Sequence, residues 1–409
     1  MKTGLYNIFF RGLTLLSKFI FIIFLGKYSI DETNLGIFGM LTTSIGFLIY
    51  IIGFDFYVFN TREILKHRFD LINKIQNQLI FHFLAYIVII PLSFIMIFNL
   101  GFISIEYLWV FVALIISEHL GQEMYRLYTT LEKSVVANIM AFVRSGLWIW
   151  YVLWDYFILK NPLNIQKYII SWAAFSWISF LILFVILLKE SDINKFKYIK
   201  PDWKWIKEGI KTSSVFFVAS LSFQVIQFSD RFMIDYFYGK KFVGVYTAYA
   251  QFSNAIEVFT FSAVTMVAYP KLVKEFSNPI KYKAMKAKFS KELIFLTVLL
   301  ILIVTFVGPI VLKFLGKDDI IKEINTFYVL LLGAFFLIMS NVFHYDLYVN
   351  KKDNIILKVA IVAMVVNVVL NLILIPNYGI FGASIATLTS FIIIYVLKFY
   401  FSKLIIVFK

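Results

Sequence analysis

About twelve apolar runs, each long enough to cross a hydrocarbon core, follow one another along this chain with only short polar links between them. They fall at about 6–26, 36–58, 79–100, 105–127, 135–157 and 166–188. After a basic segment they resume at about 209–236, 243–269, 290–315, 325–348, 354–375 and 380–403. Roughly 20 apolar residues in a helix span the hydrocarbon core of a bilayer. The runs are continuous and do not alternate, which points to helices and away from an outer-membrane barrel. Of 409 residues, 61% are hydrophobic, and the mean hydropathy is +0.84. A soluble domain is nearer 45–50% apolar, so little of this chain is left to build one. The expected fold class is an all-α polytopic membrane protein. A soluble enzyme is excluded, as is one with its chemistry in a large extramembrane domain. No cleavable signal peptide is expected. The first run is long, carries Arg11 and Lys18, and has no small-residue cleavage site after it.

Cysteine is absent, which removes disulfides, thiolate metal sites and a cysteine nucleophile. His67, His82, His119 and His344 are scattered, with no metal-ligand spacing among them, so no metal site is expected. No Walker A loop, dinucleotide fingerprint or Gly-x-Ser-x-Gly elbow is present, and no cofactor is expected.

The formal charge of +15 has two readings, an anionic partner or the charge asymmetry that orients a membrane protein. Its distribution favours the second, and no nucleic-acid partner is expected. Arg62, Lys66, Arg68 and Lys74 follow the second run. Lys189, Lys195, Lys197, Lys200, Lys204, Lys207 and Lys211 follow the sixth, and Lys271, Lys274, Lys281, Lys283, Lys286, Lys288 and Lys291 follow the eighth. With Lys2, Arg126, Lys133, Lys351, Lys352, Lys398, Lys403 and Lys409, about 26 basic residues lie on one side against about 7 on the other. That bias puts both termini in the cytoplasm and requires an even number of spans.

The halves repeat. Asn7, Arg11, Thr14 and Lys18 in the first run step by four, three and four residues, as do Ser220, Gln224, Gln227 and Arg231 in the seventh. On a helix each set forms one polar stripe. The next run opens with Gly36-Ile37-Phe38 in one half and Gly244-Val245-Tyr246 in the other. Two six-helix lobes are expected, over residues 1–200 and 201–409, joined near the charged, Pro201-containing stretch 189–205.

Ionisable groups inside a bilayer cost about 2.5–3.5 kcal/mol each on insertion scales, and persist where they meet a partner or a water-filled cavity. Lys18 and Arg144 fall mid-membrane, Arg11 nearer the cytoplasm and Arg231 nearer the outside. Together they would make a cationic track suited to an anion, phosphate above all. Arg11 could instead snorkel to headgroups, and Arg231 could pair with Asp230 or Asp235. The carboxylates of Asp55 and Glu257 are candidates for ion coupling, or for internal salt bridges. Glu118, His119, Glu123 and Arg126 read first as a local surface network, with a gate as the sharper alternative. Asn367 and Asn371 could join neighbouring helices.

The stretch 375–387 reads IPNYGIFGASIAT. It resembles the closing signature of polysaccharide flippases, carried here by Pro376, Gly379, Gly382, Ala383, Ala386 and Thr387. Asp230 before a short loop, Gly244-x-Tyr246, and Tyr269-Pro270 resemble the same family. So do Gly36, Gly53 and Asn60-Thr61-Arg62. The likeness covers essentially the whole chain. It implies a Wzx-type flippase of the multidrug/oligosaccharidyl-lipid/polysaccharide exporter superfamily, with two six-helix lobes and alternating access. The implied substrate is an undecaprenyl-pyrophosphate-linked oligosaccharide, an O-antigen or other surface-polysaccharide repeat unit, moved from the cytoplasmic to the periplasmic leaflet.

The expectation is therefore a transporter and not an enzyme, in the bacterial cytoplasmic membrane. Its partners would be a lipid-linked glycan and the bilayer, with a polysaccharide polymerase and a chain-length regulator nearby. The substrate path would use Arg11, Lys18, Arg144, Arg231, Asn7, Gln224 and Gln227. Coupling or gating would use Asp55, Glu257 and Asp230. An ion-coupled drug antiporter of the same superfamily and a membrane polymerase or ligase are the alternatives. The short outer loops count against the last.

Overall fold

The computed structural model describes residues 2–29, 31, 33–66, 70–190, 200–314 and 321–407. His67, Arg68, Lys195, Lys197 and Lys409 of the basic segments, and residues 191–199 of the expected linker, lie outside the described residues. Among the described residues nearly all are helical and none is in a strand. Many are β-branched or aromatic and have modest helix propensity in water. In lipid, a segment must satisfy its own backbone hydrogen bonds, and that requirement overrides propensity.

The helices are α1 (Lys2–Tyr28), α2 (Thr33–Gly53), α3 (Phe56–Lys66), α4 (Leu71–Ser93), α5 (Leu108–Thr130), α6 (Ser134–Phe142) and α7 (Trp148–Phe157). They continue with α8 (Ile165–Glu190), α9 (Trp203–Tyr238), α10 (Lys240–Thr260), α11 (Met266–Glu275), α12 (Pro279–Phe314), α13 (Ile324–Val349) and α14 (Asp353–Val407). Among the described residues, ten segments are long and apolar enough to cross a membrane. One of them, within α14, is two limbs joined at Gly379. The 23-residue α5, which carries Glu118, Glu123 and Arg126, is not among the ten. A twelve-span arrangement needs both limbs of α14 and α5 counted as crossings.

Local breaks re-aim side chains. Between α2 and α3, Phe54 and Asp55 adopt φ of 50° and 49°, left-handed values that bulky side chains rarely take. The second apolar run therefore ends at Gly53 instead of continuing to 58. Single π-helical turns interrupt the ladder at Val143–Leu147, between α6 and α7, and at Phe261–Thr265, between α10 and α11. Such turns insert a residue and shift the face presented, and they recur at functional sites. At Gly379 the backbone takes φ 58° and ψ −140°, a conformation essentially restricted to glycine. This is the bend that lets the last two spans double back.

The chain forms two compact units. Unit 1 comprises residues 1–21 and 41–217, and unit 2 residues 22–40 and 218–409. The helices α1, α2 and α9 each contribute to both. In unit 1, Ile75, Met124, Tyr128, Ala137, Leu183 and Leu187 join α4, α5, α6 and α8 in one apolar core. In unit 2, Ile226, Leu337, Val359, Ala363, Phe391 and Ile394 join α9, α13 and α14. Unit 2 also holds a very close helix crossing. A Cβ on Gly36 of α2 would fall 1.8 Å from the Lys240 carbonyl oxygen of α10, so only glycine fits there.

Large apolar side chains cover the outside. Phe295, Phe306 and Ile310 of α12 are 70%, 72% and 70% exposed. An apolar surface of this kind is unfavourable in water and ordinary in lipid. The chain is a multi-pass membrane protein.

Candidate functional site

In unit 1, α1, α5, α6 and α8 together build a charged centre inside the spans. The π-turn Val143–Leu147 carries Arg144, whose Nε lies 3.3 Å from Glu118 Oε2 on α5. One NH1 hydrogen of Arg144 also reaches the Glu118 carbonyl at 3.3 Å. The guanidinium lies across Gly121, one turn along α5, where a Cβ would come within 2.8 Å of Arg144 Cδ. Glu118 is held from the other side as well. Trp172 Nε1 and Ser176 Oγ of α8 donate to its Oε1 at 2.8 and 3.2 Å. The ammonium of Lys18 lies in the field of both Glu118 and Arg144. Among the described residues it forms no hydrogen bond or ion pair. Two cations therefore lie in the field of one carboxylate, Arg144 paired with it and Lys18 the exposed member.

Arg11 and Asn7 sit apart from this centre on the same helix. Arg11 Nε donates to Asn138 Oδ1 at 3.0 Å and NH2 to the Tyr125 hydroxyl at 2.6 Å. Asn7 exchanges hydrogen bonds with Ser134 and Asn138. The snorkelling expected as an alternative for Arg11 is thus replaced by a network that ties α1 to α5 and α6.

In unit 2, four of the residues expected in the substrate path or in coupling meet at one cavity of about 50 Å³ between α9, α10, α13 and α14. Gln227, Asp230, Arg231 and Glu257 line it, together with Asn254 and Tyr246. Arg231 donates from NH1 to Asp230 Oδ1 at 3.2 Å and to the Gln227 carbonyl at 2.5 Å. Its guanidinium carbon lies 5.4 Å from the Tyr246 ring centre. The other partner considered for Arg231, Asp235, pairs instead with Lys240 at 3.2 Å. Glu257 accepts a hydrogen bond from Gln227. Among the described residues it has no cation within ion-pair distance, so the internal salt bridge considered for it is absent. A space of this size holds a few waters or a small ion, not a sugar or a diphosphate. Gln224 is buried on α9 but does not line the cavity. Behind the cavity, Asn371 donates to Asn367 at 3.0 Å, and Ser229 reaches Asn367 at 3.5 Å, which joins α9 to α14.

Asp55 is buried at the left-handed break after α2, where its charge acts on Tyr57 and Arg126. Nearby, Glu123 and Arg126 pair at 2.5 Å as their spacing predicts. They do not form a surface network, however, because the histidines beside them are 1% exposed. Glu118 leaves this group for Arg144. In its place comes His82 from α4, whose ring centre is 4.5 Å from that of His119. His82 had looked isolated in sequence. The available signal was a pair of i, i+4 polar couples on neighbouring spans, Gln78/His82 and His119/Glu123.

Residues 1–276 match the family described as polysaccharide biosynthesis protein. An uncharacterized membrane protein of Methanocaldococcus jannaschii is 26% identical over 182 residues, 43% of this chain and 35% of that protein. The chain thus spans about a third of that relative's length. Solved structures share the fold, among them a flippase and two transporters. The lipid II flippase MurJ in an inward closed conformation superposes with a TM-score of 0.76 at 17% identity, covering 98% of this chain and 87% of that one. A multidrug resistance MATE transporter in an inward-facing conformation gives 0.73 at 13%, covering 98% and 97%. A transporter from Pyrococcus furiosus, whose binding pocket is described as reversed in polarity, gives 0.59 at 14%, covering 98% and 93%.

Proposed function

The chain belongs to the polysaccharide biosynthesis protein family, and on that premise we propose that it is an alternating-access flippase for a lipid-linked oligosaccharide. The substrate class is an undecaprenyl-pyrophosphate-linked repeat unit of an O-antigen or another surface polysaccharide, carried from the cytoplasmic to the periplasmic leaflet. The observation that carries the proposal is the centre of unit 1, where Arg144 pairs with Glu118 and Lys18 lies in the field of both.

Glu118 offsets one positive charge and leaves the centre with one in excess. A diphosphate brings negative charge and several acceptor oxygens. Arg144 offers it a planar fork of donors, and Lys18 a mobile ammonium. Trp172 and Ser176 keep Glu118 in place, so Arg144 stays oriented when an anion arrives. The sugar would follow through polar space while the polyprenyl tail stays in lipid. Residues 1–200 and 201–409 would act as the two six-helix lobes. The protein would work in the bacterial cytoplasmic membrane, with both termini inside, alongside a polymerase and a chain-length regulator. It would move its substrate without changing any covalent bond, so it is not an enzyme. The fold shared with a lipid II flippase supports a lipid-linked substrate.

Glu257, a carboxylate with no ion-pair partner among the described residues, favours an ion-driven cycle with Asp230 in the same cavity. It also keeps open an ion-coupled small-molecule antiporter, which a drug-susceptibility panel separates from a flippase. The direct test is lipid-linked sugar accumulation in cells that depend on the protein for export. Neutral variants Lys18→Gln and Arg144→Gln should each cause accumulation, and the double variant should block export. Full complementation by the double variant would overturn the cationic site.

A further inference from the structure

A second polar cluster lies within unit 1, and the cationic site makes no use of it. Its members are His82 on α4 and His119 and Glu123 on α5. One ligand atom from each lies within 4.8 Å of the others. Both histidines are almost completely buried. His119 Nδ1 is 2.6 Å from the Tyr86 hydroxyl, which fixes the ring and turns Nε2 the other way. That Nε2 has no hydrogen-bond partner, and neither has His82 Nδ1. A buried polar atom left unpaired costs about 1–3 kcal/mol, so the orphaned Nε2 of His119 needs an explanation, while His82 turns its Nε2 toward Glu123 Oε2 at 3.8 Å and Gln78 at 3.2 Å.

The surroundings match those of a metal ligand set. Ligating imidazoles characteristically spend their second nitrogen on an outer partner, as His119 does on Tyr86. Ligating carboxylates are themselves hydrogen-bonded, as Glu123 is. Arg126 holds its Oε1 at 2.5 Å, and Gln78 donates to its Oε2 at 2.6 Å. Opposite His119, the helix α2 ends in a glycine. A Cβ at Gly53 would lie 3.4 Å from Nε2, so the backbone leaves room on that side.

We propose that His82, His119 and Glu123 bind one borderline divalent cation of the zinc class, which clamps α4 to α5. Two imidazoles and a carboxylate, with no thiolate, suit zinc, cobalt or nickel and disfavour calcium and magnesium. Bonds to zinc are about 2.0–2.2 Å long, so the ligands would draw together by about an ångström on binding. The fourth position would hold water.

The test uses the full chain in lipid nanodiscs. After zinc loading and desalting, elemental analysis should find about one zinc per chain. His82→Gln/His119→Gln should reduce that to background. Zinc should raise the melting temperature of the wild type and leave that of the double variant unchanged. Calcium and magnesium should not compete. Cobalt should give the visible bands of a low-symmetry N/O site in the wild type alone. Zinc retained equally by the double variant would mean an adventitious ion only, and would overturn the site. So would a wild type that retains none. Should the double variant fail to fold, X-ray absorption of the zinc-loaded wild type decides. Scattering from two imidazoles supports the site, and its absence refutes it.

Discussion

The charged centre of unit 1 and the cavity of unit 2 have opposite balances. In unit 1, Lys18 and Arg144 face one carboxylate, Glu118. In unit 2, Arg231 pairs with Asp230, and Glu257 lines the same space of about 50 Å³ with no ion-pair partner among the described residues. Both lie within apolar spans, where each uncompensated charge is costly. The first arrangement is completed by an anion. The second has an unpaired carboxylate that a proton or a small cation would complete. The contrast is the ground for the proposed division of labour, substrate recognition in unit 1 and coupling in unit 2.

Breaking the unit 1 side should have the largest effect. Lys18→Gln/Arg144→Gln should abolish export, and Lys18→Arg should retain most of it, because charge and donors survive. An export assay on the three proteins, with membrane levels matched, checks this. Next comes Glu118→Gln. Removing that carboxylate leaves Arg144 without its partner beside the exposed Lys18, and breaking a buried pair costs about 3–5 kcal/mol. The melting temperature should fall accordingly. Inorganic diphosphate should recover part of the loss by binding the folded state. No recovery would count against anion binding there.

On the unit 2 side, Glu257→Gln should cut the transport rate about tenfold, equivalent to about 1.4 kcal/mol, while leaving diphosphate binding unchanged. Binding and transport measured on the same preparation separate the two. A matching loss of binding would erase the proposed division. The smallest effect should come from the hinge. Gly379→Ala forces a side chain into a left-handed region and should cost about 1–2 kcal/mol, read as a lower melting temperature with transport retained.

Fold class was readable from sequence because lipid imposes it. Long apolar runs must be helices, and Pro376 with Gly379 marked the last bend correctly. What sequence hid came from tertiary placement. Glu118 sits one residue from His119, so reading along the chain put both in one network. The helix turns successive side chains about 100° apart, which sends Glu118 to Arg144 and His119 to His82. The left-handed break at Phe54 and Asp55 was equally hidden, since Phe rarely takes such values and Asp, which takes them more readily, does not by itself mark a break. For Arg231 the sequence offered Asp230 and Asp235 alike, and the fold decides between them, with Asp235 taken by Lys240.

The central claim is that Lys18 and Arg144 recognise the diphosphate. Flipping of a fluorescent polyprenyl-diphosphate oligosaccharide in proteoliposomes tests it most directly. The wild type and Lys18→Arg should flip the lipid above the protein-free background, and Lys18→Gln/Arg144→Gln should not exceed it. Wild-type rates from the double variant would contradict the account.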